Sequence, residues 1–503
     1  MIKRVLKLKE YIDILAENDL IWEMKVKAED LYRPVALVTY DSREAVKDTL
    51  FICKGLRFNQ DYLKAAIAKG CFCYVSELAY DCAEGTSYII VNDIRRAIGV
   101  LANAYFNDIW KNLHTVGLTG TKGKSTTAFF IRYIFDEYLK ANGKPASGIL
   151  SSIDNYDGVY TEESHLTTPE TLTLHRHFEN MVDSGIEYMV MEVSSQALKY
   201  HRSYGVNFEV GCFLNISEDH ISDIEHKDYE DYFTSKLRLF HQCRTMLVNH
   251  DCDEQERLAE EAKKAHVKTL YFGTDKSCDF YGHGIRILKK GIEFKCRTDS
   301  FDETFRISLP GGFNVENALA AIGVAYVLNI PLEYIKKGLA KAKAPGRMEV
   351  FESRKLGIMA VVDYAHNSMS FKTLFKAMRR EYPNKKISIV FGCPGNKAVT
   401  RRRELGEIAG EYADMVYLTE EDYAEENIAD ICAEIEKHVK AKGCPYKIIY
   451  DRKEAIRQAV EDADGDCIIL ITGKGRETRM KRGTEYIDTP SDVDYITEFF
   501  KDK

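Results

Sequence analysis

Residues 116–127 read VGLTGTKGKSTT, a partly apolar strand end running into a glycine-rich turn and then a helix. This stretch constrains the chain most, because strand, loop and helix in that order place backbone N–H groups and a helix N-terminus where a phosphate can sit. Gly120 and Gly123 let the backbone curl, with Thr121 between them. Lys124 reaches for the terminal phosphates, and the hydroxyl of Ser125 or Thr126 faces Mg²⁺. The usual P-loop carries a further glycine five residues before Gly123, where this chain has Leu118. The motif is therefore a shortened one. A strand over 113–118 and a helix over 126–138 are expected around it, and the first expectation is an ATP site.

At 503 residues the chain exceeds one core, and three domains are expected, 1–112, 113–345 and 346–503. A net charge of −8 gives no electrostatic argument for nucleic acid or an anionic membrane surface. No apolar run reaches the ~18 residues that span a bilayer, and residues 1–15 lack the pattern of a signal peptide. The 13 cysteines have no C-x-x-C spacing, so reduced thiols in a cytoplasmic protein are expected rather than a zinc site. Cys71 and Cys73 would share one face of a strand.

The first domain reads as a small α/β unit: a helix over 7–17, strands near 35–40, 50–53, 71–75 and 87–91, and a helix over 62–69. Ser42 follows a strand in Asp41-Ser42-Arg43, a triplet that also suits an ordinary turn. In the second domain a polar loop over 151–165 leads to Thr167-Thr168-Pro169-Glu170. Either threonine suits a helix N-cap and Pro169 the first helical position. Glu192 closes the apolar strand 188–193. A carboxylate there is costly unless paired or metal-bound, and ligands gather at the carboxyl ends of strands, so Glu192 is expected to serve Mg²⁺. His220 follows the next apolar strand, 208–214, and points to the same site. His175 and His177 sit within a helical stretch and are given a structural role. Lys236 falls inside the apolar pattern of a helix over 228–240, and by pattern alone it reads as a snorkelling lysine at a helix edge. Strands and hairpins are expected over 268–310, then a helix over 315–328 in which Asn317 is either a cap remnant or a contact to a base edge.

The third domain alternates strands (358–362, 387–391, 415–419, 467–472) with helices (371–381, 402–412, 428–440). This predicts a parallel Rossmann-like sheet. The loops at 363–366, 392–395 and 473–477 then share one sheet edge, where a second site is expected. The fold class is thus α/β, with a central P-loop ATPase-type sheet and a C-terminal Rossmann-like sheet.

Taken in order, these motifs resemble the Mur ligase family, ATP-dependent amide-forming enzymes of peptidoglycan precursor synthesis. The likeness is greatest to the branch that adds the third peptide residue. It spans nearly the whole chain: Asp41-Ser42-Arg43, the P-loop, Thr167-Thr168-Pro169, residues 191–195 (MEVSS), Asn215-x4-His220 and Tyr232-x3-Lys236. It continues through residues 313–317 (FNVEN), 346–349 (GRME), 363–366 (DYAH), 391–393 (FGC) and 473–475 (GKG). The resemblance implies that Lys124 holds ATP phosphates, that Ser125, Glu192 and His220 serve Mg²⁺, and that Lys236 is a carbamylated lysine beside the metal. Asn317, Arg347 and Asp363 then hold the nucleotide. Ser42, Thr167, Thr168, Ser194 and Arg202 grip a UDP-N-acetylmuramoyl dipeptide, and the third domain holds the incoming amino acid. A monomer is expected.

The amino-acid pocket departs from the family's diaminopimelate pattern, Asp-Asn-Pro-Arg. The aligned residues are Glu421, Asp422, Tyr423 and Ala424, and a further family arginine aligns with Lys397. Positive charge is lost and negative charge kept, with Gly473 and Glu477 retained. An amino acid other than meso-diaminopimelate is expected, with lysine and ornithine as examples. Lys122, Gln196 and Tyr200 also depart from the family pattern. Two other readings stay open: a related ligase with a different acid substrate, and a nucleotide-binding paralogue without ligase activity.

Overall fold

The structure, a computed structural model, describes residues 4–55, 58–164, 166–218, 221, 225–288, 291–353 and 355–501. His220, expected at the metal site, lies outside the described residues, as does Asp219. The chain divides into two compact units: Met1–Tyr281 with Leu319–Gly338, and Gly282–Ala318 with Leu339–Lys503.

The first unit holds two sheets. The N-terminal one has five strands in the order Ile21–Lys25, Ser87–Val91, Cys71–Ser76, Thr49–Ile52 and Leu37–Thr39. Only the edge strand Ile21–Lys25 runs antiparallel to its neighbour. Cys71 and Cys73 do not share a face. A register shift pairs Thr49 with Cys71 but Leu50 with Cys73, so Phe72 is the extra residue. Cys71 therefore packs with Phe51 and Cys53, and Cys73 with Leu50 and Val75.

The second sheet is built around the strand His114–Thr119, which lies between Tyr188–Glu192 and Phe208–Phe213 with all three parallel. Beyond Phe208–Phe213 follow Cys243–Asn249 and Lys268–Gly273, again parallel. Beyond Tyr188–Glu192 lie Gly148–Leu150, Asp154–Tyr156 and Thr161–Glu163. The last two form an antiparallel hairpin where a polar loop is expected from sequence. Three-residue strands with a partly exposed face carry too little apolar alternation to be read beforehand. The helix expected to open at Pro169 instead starts at Thr171, with Glu170 at its N-cap and no side-chain cap bond. Thr168 is drawn away to bond Ser194 and the carbonyl of Glu192.

In the second unit six strands run in the order Glu349–Ser353, Ile358–Asp363, Cys467–Thr472, Lys386–Phe391, Met415–Leu418 and Tyr446–Ile448. All pairs are parallel except the first, an antiparallel edge. The near-continuous apolar runs of Cys467–Thr472 and Lys386–Phe391 follow from burial on both faces. A further hairpin, Arg479–Arg482 with Glu485–Asp488, was not legible in the sequence. Among the described residues no helix is long and apolar enough to cross a membrane.

Candidate active site

The strand His114–Thr119 ends in the glycine-rich loop, and the helix Lys124–Ala141 begins at its far side, two residues earlier than expected. Gly123 is the N-cap at φ +84° and has no side chain to occupy the first-turn amides. Gly120 sits at φ +150°, and a Cβ there would come within 3.0 Å of Leu214. The loop backbone is held from the neighbouring strand. Asn215 accepts the Lys122 N–H through Oδ1 (2.8 Å) and donates through Nδ2 to the Lys122 carbonyl (3.0 Å). The Thr121 hydroxyl is bound by Tyr232 Oη at 3.0 Å. Asn215 and Tyr232 lie in motifs quoted for the resemblance, but their support of the loop, Asn215 through the Lys122 backbone and Tyr232 through the Thr121 hydroxyl, follows only from the fold.

Two lysines converge here. Lys124 Nζ donates to the Gly120 carbonyl at 2.8 Å, and Lys236 Nζ donates to the same oxygen at 2.9 Å. Lys236 is 1% exposed and lies 4.6 Å from the Tyr232 ring centroid. It is therefore not a snorkelling lysine at a helix edge. Helix Tyr229–Leu237 turns that side of itself to the loop, and the apolar pattern around Lys236 marks burial. Parallel register sets Glu192 beside Leu118, two residues before Gly120. Its Oε1 accepts from Ser152 N (2.9 Å) and Ser152 Oγ (3.2 Å), and Ser152 Oγ lies 3.0 Å from Ser125 Oγ. Glu192 is buried, and among the described residues Oε2 makes no hydrogen bond. A hydroxyl and a carboxylate oxygen, linked through Ser152 and with one lone oxygen to spare, fit a hard oxygen-seeking cation such as Mg²⁺.

The expected sugar-dipeptide residues gather nearby in the same unit. Thr168 Oγ1 donates to the Glu192 carbonyl (2.9 Å) and accepts from Ser194 N (3.0 Å). Ser194 caps the helix Ser195–Lys199 through Ala197 N at 3.1 Å. Arg202 is buried, donating from Nη1 to the Thr168 carbonyl (3.2 Å) and pairing through Nη2 with Glu170 (2.8 Å). Thr167 is half-buried next to them. Ser42 ends the N-terminal group, its carbonyl accepting from Lys69 Nζ at 3.0 Å. A separate cavity of about 950 Å³ is lined by His201, Tyr204, Arg238 and Gln242 among others. Asn207 and Gln242 of its wall precede the strands Phe208–Phe213 and Cys243–Asn249, so it lies at the sheet edge opposite the phosphate loop.

In the second unit the loops after Ile358–Asp363, Lys386–Phe391 and Cys467–Thr472 fall on one edge, because those strands are parallel neighbours. Asp363 is tied into the backbone, accepting from Met348 N (2.9 Å) and Ala365 N (2.8 Å). Arg347 lies 4.6 Å over the Tyr364 ring. Asn317 is buried and donates to Asn314 Oδ1 at 3.0 Å. Glu421 is buried, and a Cβ on Gly473 would stand 2.3 Å from its Oε2, so only glycine fits there. Burial pushes the Glu421 carboxyl up to about 7, with Asp422 and Glu477 adding to the rise against Arg452 and Lys474. Lys474, quoted within residues 473–475 but given no role from sequence, is buried between Asp422 (3.0 Å) and Glu477 (2.5 Å). Arg452 and Asp492, a buried bidentate pair at 2.7 and 2.8 Å, brace this loop, Asp492 also accepting from Gly475 N. Ala424 is buried at φ +50° against the hairpin, accepting from Gly483 N at 2.8 Å. Lys397 is exposed.

Residues 118–325 match the Mur ligase middle domain, and residues 346–475 match the domain described as Mur ligase, glutamate ligase domain. The UDP-N-acetylmuramoyl-L-alanyl-D-glutamate–L-lysine ligase of Enterococcus faecalis is 35% identical over 506 residues, covering 98% of each chain. The chain belongs to the Mur ligase family. Another Mur ligase, the UDP-N-acetylmuramoyl-L-alanyl-D-glutamate–2,6-diaminopimelate ligase of Clostridium perfringens, is 35% identical over 447 residues, 88% of this chain and 90% of that one. Among solved structures, a UDP-N-acetylmuramoyl-L-alanyl-D-glutamate–2,6-diaminopimelate ligase superposes with a TM-score of 0.70 at 23% identity over 99% of both chains. The ADP complex of Thermotoga maritima MurF gives 0.58 at 18% identity, covering 93% of this chain and 97% of that one. These two establish the shared α/β Mur ligase fold.

Proposed function

We infer that this Mur ligase joins an amino acid to UDP-N-acetylmuramoyl-L-alanyl-D-glutamate in an ATP-dependent, ADP-forming reaction of peptidoglycan precursor synthesis. The observation that carries this is the convergence of Lys124 and Lys236 on the Gly120 carbonyl, with the Glu192–Ser152–Ser125 chain alongside. A carboxylate is inert to amines in water, so ATP first converts it to an acyl phosphate. Lys124 and the first-turn amides offset charge on the transferring phosphoryl group. Mg²⁺, held by Ser125, Glu192 and, as proposed, His220, would supply further charge stabilisation at the phosphates when bound. Lys236 is buried beside Lys124, with which it shares the Gly120 carbonyl. A neutral amine is what carbamylation by CO₂ requires, and we propose that Lys236 carries that carbamate. The amine of the incoming amino acid then attacks the acyl carbon, and phosphate leaves with formation of the amide.

We further propose the division of labour 1–112, 113–345 and 346–503. The first segment, with Ser42, meets the UDP-sugar. The second, with Thr167, Thr168, Ser194 and Arg202, meets the dipeptide. In the third, Arg347 and Asp363 meet the nucleotide, together with Asn317 of the second. The amino acid is proposed to be a diamine such as lysine or ornithine, and not diaminopimelate. Ala424 offers no guanidinium to a distal carboxylate, whereas Glu421, Asp422 and Glu477 offer three carboxylates against the one buried ammonium of Lys474. Lys397 and Gly473 complete the proposed pocket. The enzyme is taken to act as a cytoplasmic monomer.

Lys124→Ala tests the reading. With ATP, Mg²⁺, the UDP-sugar dipeptide and the accepted amino acid, it is expected to lower kcat by at least about 100-fold, the scale of losing one transition-state donor. Undiminished turnover would refute the ligase mechanism.

A further inference from the structure

The cavity at the sheet edge opposite the phosphate loop, about 950 Å³, has the size of a metabolite pocket. Its wall carries three carboxylates, and each has a cation of its own. Glu10 pairs with Arg4 at 2.5 Å, Asp13 with Lys9, and Asp108 with Lys111 at 2.5 Å. His241 of the wall is held by Glu261 at 2.6 Å. Arg238 is half-buried in the same wall and pairs with no carboxylate among the described residues.

Only one end of this guanidinium is in use. Nη1 donates to the carbonyls of Leu198 (3.2 Å) and Lys199 (3.1 Å) and to His201 Nε2 (3.1 Å). Burial and then the Arg238 charge hold His201 below its ordinary value, so its ring is neutral and Nε2 can accept. Nε and Nη2 make no hydrogen bond among the described residues. Their N–H groups form the edge that takes two oxygens of a carboxylate or phosphate at once. The bonds at Nη1 fix the guanidinium, so that edge is held ready before a ligand arrives.

Arg238 also sits where two helices end. It is the C-cap of Tyr229–Leu237, the helix that carries Lys236 to the Gly120 carbonyl. Leu198 and Lys199, whose carbonyls it holds, close the helix Ser195–Lys199 that Ser194 caps. We propose that this cavity is an effector site for a small molecule bearing a phosphate or carboxylate group, gripped by Nε and Nη2 of Arg238. Leu6, Ile14 and Val100 give the rest of the molecule an apolar wall, and Tyr204 gives it a ring. An anion on Arg238 draws on the charge that now holds the two carbonyls. It thereby favours one arrangement of the helix ends over another, and the site shifts turnover at the phosphate loop.

Phenyl phosphate and phenylacetate carry the two anions on an apolar ring, and phenylacetamide is their neutral counterpart. Their binding to the full chain is read by saturation-transfer NMR, with ADP and Mg²⁺ in excess to fill the phosphate loop. Two variants are compared with wild type. Arg238→Gln removes the grip, whereas Ala104→Glu sets a carboxylate in the same wall and leaves Arg238 and its carbonyl bonds in place. At least one anion is expected to bind wild type, and both variants to weaken it by at least about tenfold, the scale of a charged hydrogen bond. Phenyl phosphate alone would assign the site to phosphates, and phenylacetate alone to carboxylates. No anion bound by wild type, the amide bound as well as the anions, or anion binding unmoved in Ala104→Glu would overturn the proposal. The bound probe is also expected to change kcat, or KM for ATP, by at least about fivefold in wild type and not in Ala104→Glu. Binding that leaves both constants unmoved would overturn the effector role. A chain without ligase turnover would strike the function inferred above, and the binding arm would still decide the site.

Discussion

At the residue scale the proposed amino-acid pocket turns on Glu421. Its carboxyl is pushed up to about 7 by burial, so the ionised form that would hold a substrate ammonium is gained as pH rises through neutrality. The KM for the amino acid is expected to fall about tenfold between pH 6 and 8, as the ionised fraction rises. Glu421→Gln should flatten that part of the profile, and a wild-type KM that rises over this range would contradict the assignment. The sign for stability is opposite. A carboxyl whose folded value is raised stabilises the fold below its unfolded value near 4.5, and that contribution is lost as pH rises through 7. The site thus gains recognition where it gives up stability. Glu421 was legible as a candidate only through its alignment with the family's amino-acid motif, and its ionisation state was not legible at all. That depends on Arg452, Lys474 and Asp422, brought together only by the sheet.

At the element scale, the helix Thr171–Asp183 shows what pattern reading finds and what it misses. His175 and His177 were both expected to be structural, and both are buried. His177 is satisfied by Asp157 at 2.7 Å. His175 lies between Phe106 (5.7 Å) and Phe178 (5.8 Å), with neither ring nitrogen bonded. Burial lowers its value to about 3, so the unfolded chain takes up this proton first as pH falls below 6.5. Stability is therefore lost with acidification at up to about 1.4 kcal/mol per pH unit from this group alone. His175→Leu should remove that component. Between pH 7 and pH 5 it is expected to lose about 2 kcal/mol less than wild type in urea unfolding, and parallel losses would contradict the burial argument. The start of this helix was misread because Thr168 and Pro169 carry good N-terminal chemistry locally. Bonds from Thr168 to Glu192 and Ser194, over 20 residues away in sequence, outweigh it.

Across the whole molecule, the legible parts were those with strong period and strong punctuation. The strand before the phosphate loop, the buried strands of the C-terminal sheet and the loops sharing its edge were all readable, since fully buried parallel strands are continuous apolar runs. The edge strands Ile21–Lys25 and Glu349–Ser353 and the hairpin Arg479–Arg482 with Glu485–Asp488 were not, being short and largely solvent-facing. Lys236 was misjudged from pattern alone and corrected only by the resemblance, because a lysine in an apolar stripe looks the same whether it snorkels or is buried against Gly120. The central claim, as proposed above, is that this Mur ligase accepts a diamine and not diaminopimelate, because Ala424 and Lys397 offer no guanidinium clamp for a distal carboxylate. Product mass and phosphate release, with ATP, Mg²⁺ and UDP-N-acetylmuramoyl-L-Ala-D-Glu against a panel of lysine, ornithine and meso-diaminopimelate, test it most directly. Turnover with lysine or ornithine and not with diaminopimelate is the predicted result; efficient turnover with diaminopimelate would contradict the reading of Ala424 and Lys397.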